Sequence, residues 1–262
     1  MDDGDGMKTV IVALPPTVRR AHRDIVRRLA AVGGRFSTDL GIDIEAGEAQ
    51  IDRWFLAATL FGARIPIAIA EHTFHVLDEA GVTVATARTF SWDDLVALLD
   101  RGGYGRYDFK TATRLHLLCR VLSERYGGRV CAIPDRVRSP VELEAALDDL
   151  PGWGPVTVGV FLRELRGVWP LAAPALDARA EACARHLGLV EERTGDPLDR
   201  VRSLSVEAGI DPRDLEGALV RTALAHRGGL GACPGGRGCA VLTQLTMRPP
   251  ARTPVPDPGP DL

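Results

Sequence analysis

Apolar residues recur at helical spacing along most of this chain and period-two alternation is almost absent, so the pattern predicts helices nearly throughout. Ile25, Val26 and Leu29, with Arg19, Arg20, Arg23, Arg27 and Arg28 on the opposite side, predict an amphipathic helix over 19–32 that ends at Gly33-Gly34. A loop over 36–46 follows. Ile51, Trp54, Phe55, Ala58 and Leu60 place a core-facing helix over 48–61, and a second covers 67–79 after the break Phe61-Gly62-Ala63-Arg64-Ile65-Pro66. Ser91 with Asp94 three residues later caps a helix through Leu99. A glycine and tyrosine turn, 102–107, leads into a helix over 109–125 whose Leu115, Leu118, Val121 and Leu122 face a core. Later helices are predicted over 178–187, stopped by Gly188, and over 212–226, opened by Asp211-Pro212.

Between these lies the most informative stretch. Ser139 and Glu142 stand at capping-box spacing with Pro140 at the first helical position, and Val141, Leu143, Ala146, Leu147 and Leu150 continue at helical intervals. Leu150-Pro151-Gly152-Trp153-Gly154-Pro155 then reads as a tight hairpin, with Gly152 and Gly154 freeing the backbone and Pro155 opening an apolar helix to Leu165. Unpaired amides at the start of that helix, held by a glycine loop, suit a phosphate.

A chain of 262 residues, 45% hydrophobic, can bury one or two lobes of core. The net charge of −3 argues against a strongly basic nucleic-acid coat, yet residues 101–138 carry nine basic against three acidic side chains, a local excess of +6. That excess reads either as a DNA-facing surface or as a solvated helix face. Five widely spaced cysteines do not form a disulfide framework, and no stretch has the length of a membrane span, so a cytoplasmic protein is expected. Residues 1–15 read as a flexible start, 247–262 as a proline-rich disordered tail. His72 and His75 lie three apart with no third ligand in view, so no metal or cofactor is expected.

The hairpin resembles the helix-hairpin-helix of the endonuclease III superfamily of DNA glycosylases (HhH-GPD), whose pattern is Leu-Pro-Gly, an apolar residue, Gly, two residues and Thr. About twenty residues on, Leu176-Asp177-Ala178-Arg179 and the ending His186-Leu187-Gly188-Leu189 are similar to that family's aspartate helix. Gly102-Gly103-Tyr104 and Tyr107 to Ala112 resemble its Gly-apolar-Tyr turn and Lys-Ala helix start. The likeness covers roughly residues 50–190. It implies an all-α, two-lobed fold with a cleft between the lobes: an N-terminal piece (16–46) packed with the C-terminal lobe (166–246), and a central helical lobe (47–165) holding the hairpin unit (139–165).

The resemblance also implies a function. A glycosylase extrudes a base and breaks its bond to the sugar through a cationic transition state, which an aspartate stabilises while water attacks. Asp177 occupies that place, and its competing role is a plain N-cap. Bifunctional relatives place a Schiff-base lysine where this chain has Val156, so lyase chemistry through that position is excluded. The residues expected on double-stranded DNA, mainly at backbone phosphates, are Leu150, Gly152, Trp153, Gly154, Val156, Thr157, Arg64, Tyr104, Arg106, Tyr107 and Lys110. At the junction where relatives carry a base-replacing glutamine stand Ala63 and Arg64. Arg64 reads as wedge, phosphate contact or surface arginine. Many relatives end in four cysteines around an iron–sulfur cluster. Cys233 and Cys239 keep the last spacing, but Ala223 and Leu230 fill the two earlier places, so the pair reads as a remnant. The expectation is a monomeric, monofunctional repair glycosylase, nucleoid-associated only as far as the resemblance implies it. The alternatives are a non-catalytic helix-hairpin-helix DNA-binding protein and an interaction module with no DNA role.

Overall fold

The computed structural model describes residues 15–191 and 195–247. The expected flexible start and proline-rich tail lie outside the described residues, apart from their inner ends at Pro15 and Met247. Among the described residues the chain forms twelve α-helices joined by turns and 3-10 segments, with no β-strand. No described helix is long and apolar enough to cross a membrane.

Helix α1 (Pro16–Ala30) buries Ile25, Val26 and Leu29 as predicted, but starts earlier than the periodicity suggests because Pro16 fits the first turn. The expected loop after it contains a one-turn helix, α2 (Phe36–Asp39), and a 3-10 turn at Ile44–Ala46. A distant side chain holds α2 in place. The fully buried carboxylate of Glu164 accepts the amides of Phe36 at 2.9 Å and Ser37 at 3.0 Å, supplying the acceptors that a helix's first turn lacks. Burial pushes the Glu164 carboxyl above its ordinary value, against the lowering effect of Arg163.

Helices α3 (Glu48–Phe61) and α4 (Ile67–Glu79) have their predicted bounds. In α5 (Trp92–Arg101) the Ser91–Asp94 cap is a reciprocal box: the Asp94 amide donates to Ser91 Oγ and the Ser91 amide to Asp94 Oδ2. Helix α6 (Asp108–Tyr126) stops at Gly127, φ +64°. In α7 (Pro140–Asp148) the expected box is only half formed. Ser139 accepts the Glu142 amide at 3.2 Å, but the Glu142 carboxylate takes the Arg138 amide, one residue before the cap.

Helices α8 (Pro155–Glu164), α9 (Ala178–His186) and α11 (Pro212–Ala225) match their sequence signals closely. Two further helices are not among those that the periodicity predicts. Helix α10 (Pro197–Ala208) opens on the same Asp-Pro signal as α11, with Asp196 accepting the Leu198 amide and Leu198, Val201 and Leu204 buried. Helix α12 (Ala240–Met247) is too short for its periodicity to stand out.

Helices α3 to α6 pack on their sequence neighbours, α8 lies against α3, and α7 against α8, while α1, α9, α10, α11 and α12 pack among themselves. Both groups share one contiguous apolar core. The end of α8 joins them: Glu164 caps α2 through its side chain, and its backbone oxygen accepts Arg213 of α11 at 3.2 Å.

Candidate nucleic-acid interface and catalytic groove

The hairpin between α7 and α8 is held by its own backbone and by the core beneath it. The Trp153 amide donates to Leu150 O at 3.0 Å, and Gly152 takes φ +84°, where a side chain is strained. A Cβ on Gly152 would also stand 2.8 Å from Arg114 Cδ, so the stem of Arg114 lies over this turn. Gly154 differs from its expected role: at φ −166° its backbone is merely extended, and a Cβ there would meet nothing within 4 Å. Its bareness leaves open the approach to α8, where the first-turn amides of Val156 and Thr157 have no intrahelical acceptor.

Several residues expected on DNA have side chains buried in the core, which leaves only their backbone to face a ligand. Trp153 is 8% exposed, stacks on Phe55 at 4.3 Å and donates its ring N–H to Thr59 Oγ1. Its side chain belongs to the core. Leu150 is buried more deeply still, and Thr157 packs so closely against Gly62 that a Cβ on that glycine would fall 1.9 Å from Thr157 Oγ1. Tyr104 is 2% exposed and donates its hydroxyl to Leu60 O at 2.9 Å, so it too is a core residue. These side chains build the platform, and their chemistry does not face a ligand. Arg64, Arg106 and Lys110 are exposed, Tyr107 is half-buried, and the Arg106 guanidinium lies over the Tyr107 ring. The basic stretch is partly spent on internal pairs, Arg125 with Asp149 and Arg129 with Glu48. Arg114, which sequence alone did not single out, is brought to the hairpin by tertiary packing.

Beside the hairpin, a groove of about 560 Å³ runs between α7 and α8 on one wall and residues 174–179 on the other. It contains both Asp177 and Val156, residues 21 positions apart in sequence. Val156 is 55% exposed and Val141 76%, so the groove presents an apolar floor and rim, and Glu144 and Asp148 add carboxylates from α7.

Asp177 caps α9. Its Oδ1 accepts the amides of Arg179 at 2.8 Å and Ala180 at 3.3 Å, and Oδ2 lies 3.5 Å from Arg163 Nη1. The side chain keeps 16% of its surface exposed, toward the groove. A buried frame sets its backbone: Glu216, 1% exposed, accepts the Asp177 amide on Oε1 and pairs with Arg166 on Oε2. Arg166 in turn donates to Pro174 O and Ala175 O, both at 2.9 Å. Neither Glu216 nor Arg166 carries a local sequence signal, since they act across 50 residues of chain.

His72 and His75 are exposed on α4, and His116 Nε2 lies 3.1 Å from Phe90 O. Cys233 and Cys239 stand differently from the isolated remnant pair that the sequence suggests. They converge with His186 and His226, and one ligand atom from each residue lies within 4.8 Å of the other three.

No family model matches the chain, and no curated protein matches it. Among solved structures it is similar to an endonuclease III trapped as a covalent intermediate with DNA, in an estranged-adenine complex. The two are 18% identical over 89% of this chain and 99% of that one, with a TM-score of 0.45.

Proposed function

We propose that this protein is a monofunctional DNA glycosylase acting on a damaged or mismatched base, with Asp177 as the catalytic carboxylate and water as the nucleophile. The observation that carries this reading is the shared groove: the hairpin's Val156 and the α9 cap Asp177 line one opening at the start of α8, whose first-turn amides have no intrahelical acceptor. Its volume suits a flipped nucleotide. A carboxylate aimed at the sugar stabilises positive charge as the bond to the base breaks, and Glu144 and Asp148 reinforce that negative field. The same field repels phosphates. The DNA backbone therefore lies on the hairpin amides, Arg114 and the exposed Arg106, Lys110 and Arg64, outside the groove. Val156 offers no amine, so the product is an abasic site and the strand stays intact.

A second reading, a DNA-binding protein without glycosylase activity, is favoured by one specific observation. Both carboxylate oxygens of Asp177 already have protein partners, two amides and Arg163.

Base release from duplexes carrying uracil, a thymine–guanine mispair, 7-methylguanine, 3-methyladenine, hypoxanthine or an oxidised pyrimidine separates the two, with Asp177→Asn run beside the native chain. Asparagine is as good an N-cap as aspartate, so α9 keeps its start while the charge is lost. Breaking the Arg163 pair costs about 1–3 kcal/mol, which thermal unfolding of the variant monitors. Abasic sites from the native protein alone, cut only by alkali, with salt-sensitive duplex binding retained by both proteins, are the expected result. Duplex binding without release from any substrate overturns the enzymatic reading in favour of the second.

A further inference from the structure

We propose that His186, His226, Cys233 and Cys239 form a closed, structural Zn²⁺ site that fastens the C-terminal segment to the helix carrying Asp177. The four residues come from three parts of the fold: His186 ends α9, His226 follows the last residue of α11, and Cys233 and Cys239 flank the loop before α12. Two imidazoles and two thiols are a recurrent tetrahedral zinc set. Their ligand atoms lie within 4.8 Å of one another, and Cys239 Sγ stands 3.4 Å from His226 Nε2. Zinc bond lengths of about 2.0–2.3 Å give tetrahedral edges of roughly 3.3–3.8 Å, so the set closes with movements of about an ångström.

The surroundings orient these atoms for a metal. A backbone carbonyl can only accept, so the 2.7 Å contact between His226 Nδ1 and Thr222 O puts the ring proton on Nδ1 and leaves the Nε2 lone pair facing the sulfurs. His186 Nε2 is buried and makes no hydrogen bond. An unsatisfied buried imidazole nitrogen is costly, and a cation removes that cost. The Leu242 amide donates to Cys239 Sγ at 3.4 Å, a contact that a metal-bound sulfur can keep. Gly235 has φ +73°, and a Cβ on it would meet His186 O at 2.4 Å, so glycine is required for the loop to lie against the histidine. The negative ends of two helix dipoles, those of α9 and α11, also point into this cluster.

The same geometry excludes the iron–sulfur alternatives. A four-iron cluster places each ligand on a separate iron and needs a wider cage with more thiolates. A Rieske centre separates its two imidazoles from its two thiolates on different irons, whereas here a thiol and an imidazole are in contact. With four protein ligands and no open position, the ion is structural. Helix α9 spans nine residues, about 13 Å, from Asp177 to His186, so the ion anchors the helix from the end remote from the groove. The inference stands whether or not Asp177 is catalytic.

The test uses the full chain, purified under reductant. Elemental analysis should find one zinc and no iron per chain, and Co²⁺ exchanged into the chelator-stripped protein should give the visible bands and thiolate charge-transfer absorption of a tetrahedral site at 1:1. Cys233→Ser and His186→Gln should each weaken Zn²⁺ binding by more than about 100-fold, beyond the usual effect of losing an outer-shell partner. Cys131→Ser, in the other helix group, should leave the metal content unchanged. Native reduced protein with no metal and no tetrahedral Co²⁺ spectrum overturns the proposal, as does iron with acid-labile sulfide. Because the native chain supplies the decisive spectrum, a variant that fails to fold does not shield the proposal. DNA binding and base release by the zinc-loaded chain report separately on the groove.

Discussion

Glu216 accepts the backbone amide of Asp177 at 3.0 Å while its other oxygen pairs with Arg166, so one buried carboxylate sets where the α9 cap meets the groove. Under the proposed function Glu216 is a positioning residue. Glu216→Gln keeps an acceptor for the amide but leaves the Arg166 guanidinium facing a neutral amide, and unfolding should become easier by about 3–5 kcal/mol. Base release per folded molecule should fall at least about tenfold while duplex affinity holds, because Asp177 is misaimed and the hairpin is untouched. Equal release by the folded variant would reduce Glu216 to a structural role.

The two hairpin glycines should separate folding from binding. Gly152→Ala meets both a positive φ and Arg114, and should lower stability by about 1–2 kcal/mol or more. Gly154→Ala meets neither strain nor neighbour, so its melting temperature should stay within about 1–2 °C of native. Its added methyl nevertheless stands at the mouth of the amide site. Duplex affinity should drop several-fold in Gly154→Ala, measured by fluorescence anisotropy, and an unchanged affinity would remove phosphate from the hairpin.

Val156→Lys tests the groove's chemistry by addition. The position is exposed and shares the groove with Asp177, so the longer side chain is tolerated without repacking. Borohydride should trap a covalent complex of this variant with abasic duplex DNA, and none with the native chain. Failure to trap, with DNA binding intact, would mean that the sugar does not pass Val156.

Asp52 gives a pH signature independent of function. Burial, aided by the nearby Glu48 charge, raises its carboxyl from 3.8 to about 6. The folded chain thus holds a proton that the unfolded chain releases. The stability this contributes is complete below about pH 3.8 and is lost as pH rises through about 6. Asp52→Asn should therefore raise the melting temperature by about 2–4 °C at pH 7.5, the shift being discounted for solvent around a half-buried group, and by little at pH 4. The same gain at both values would contradict the assignment.

Helix positions were legible in the residues because local rules govern them. The Ser91–Asp94 box, Pro155 at the start of α8 and Gly188 past the end of α9 each act within one turn of chain, and α3 and α4 follow from apolar spacing alone. The hairpin, Asp177 and Val156 stand out in the sequence equally well, since each belongs to a short contiguous pattern. Which way a side chain faces is a matter of long-range packing. Trp153 and Tyr104 sit in turns that suggest solvent, and each is buried only because Phe55, Thr59 and Leu60 come up against it from another helix. Arg114 over Gly152, Glu216 under Asp177 and the two histidines beside Cys233 and Cys239 join residues 7 to 53 positions apart. No propensity or periodicity encodes such meetings. They arise when helices bury their apolar faces against one another and bring the polar ends along.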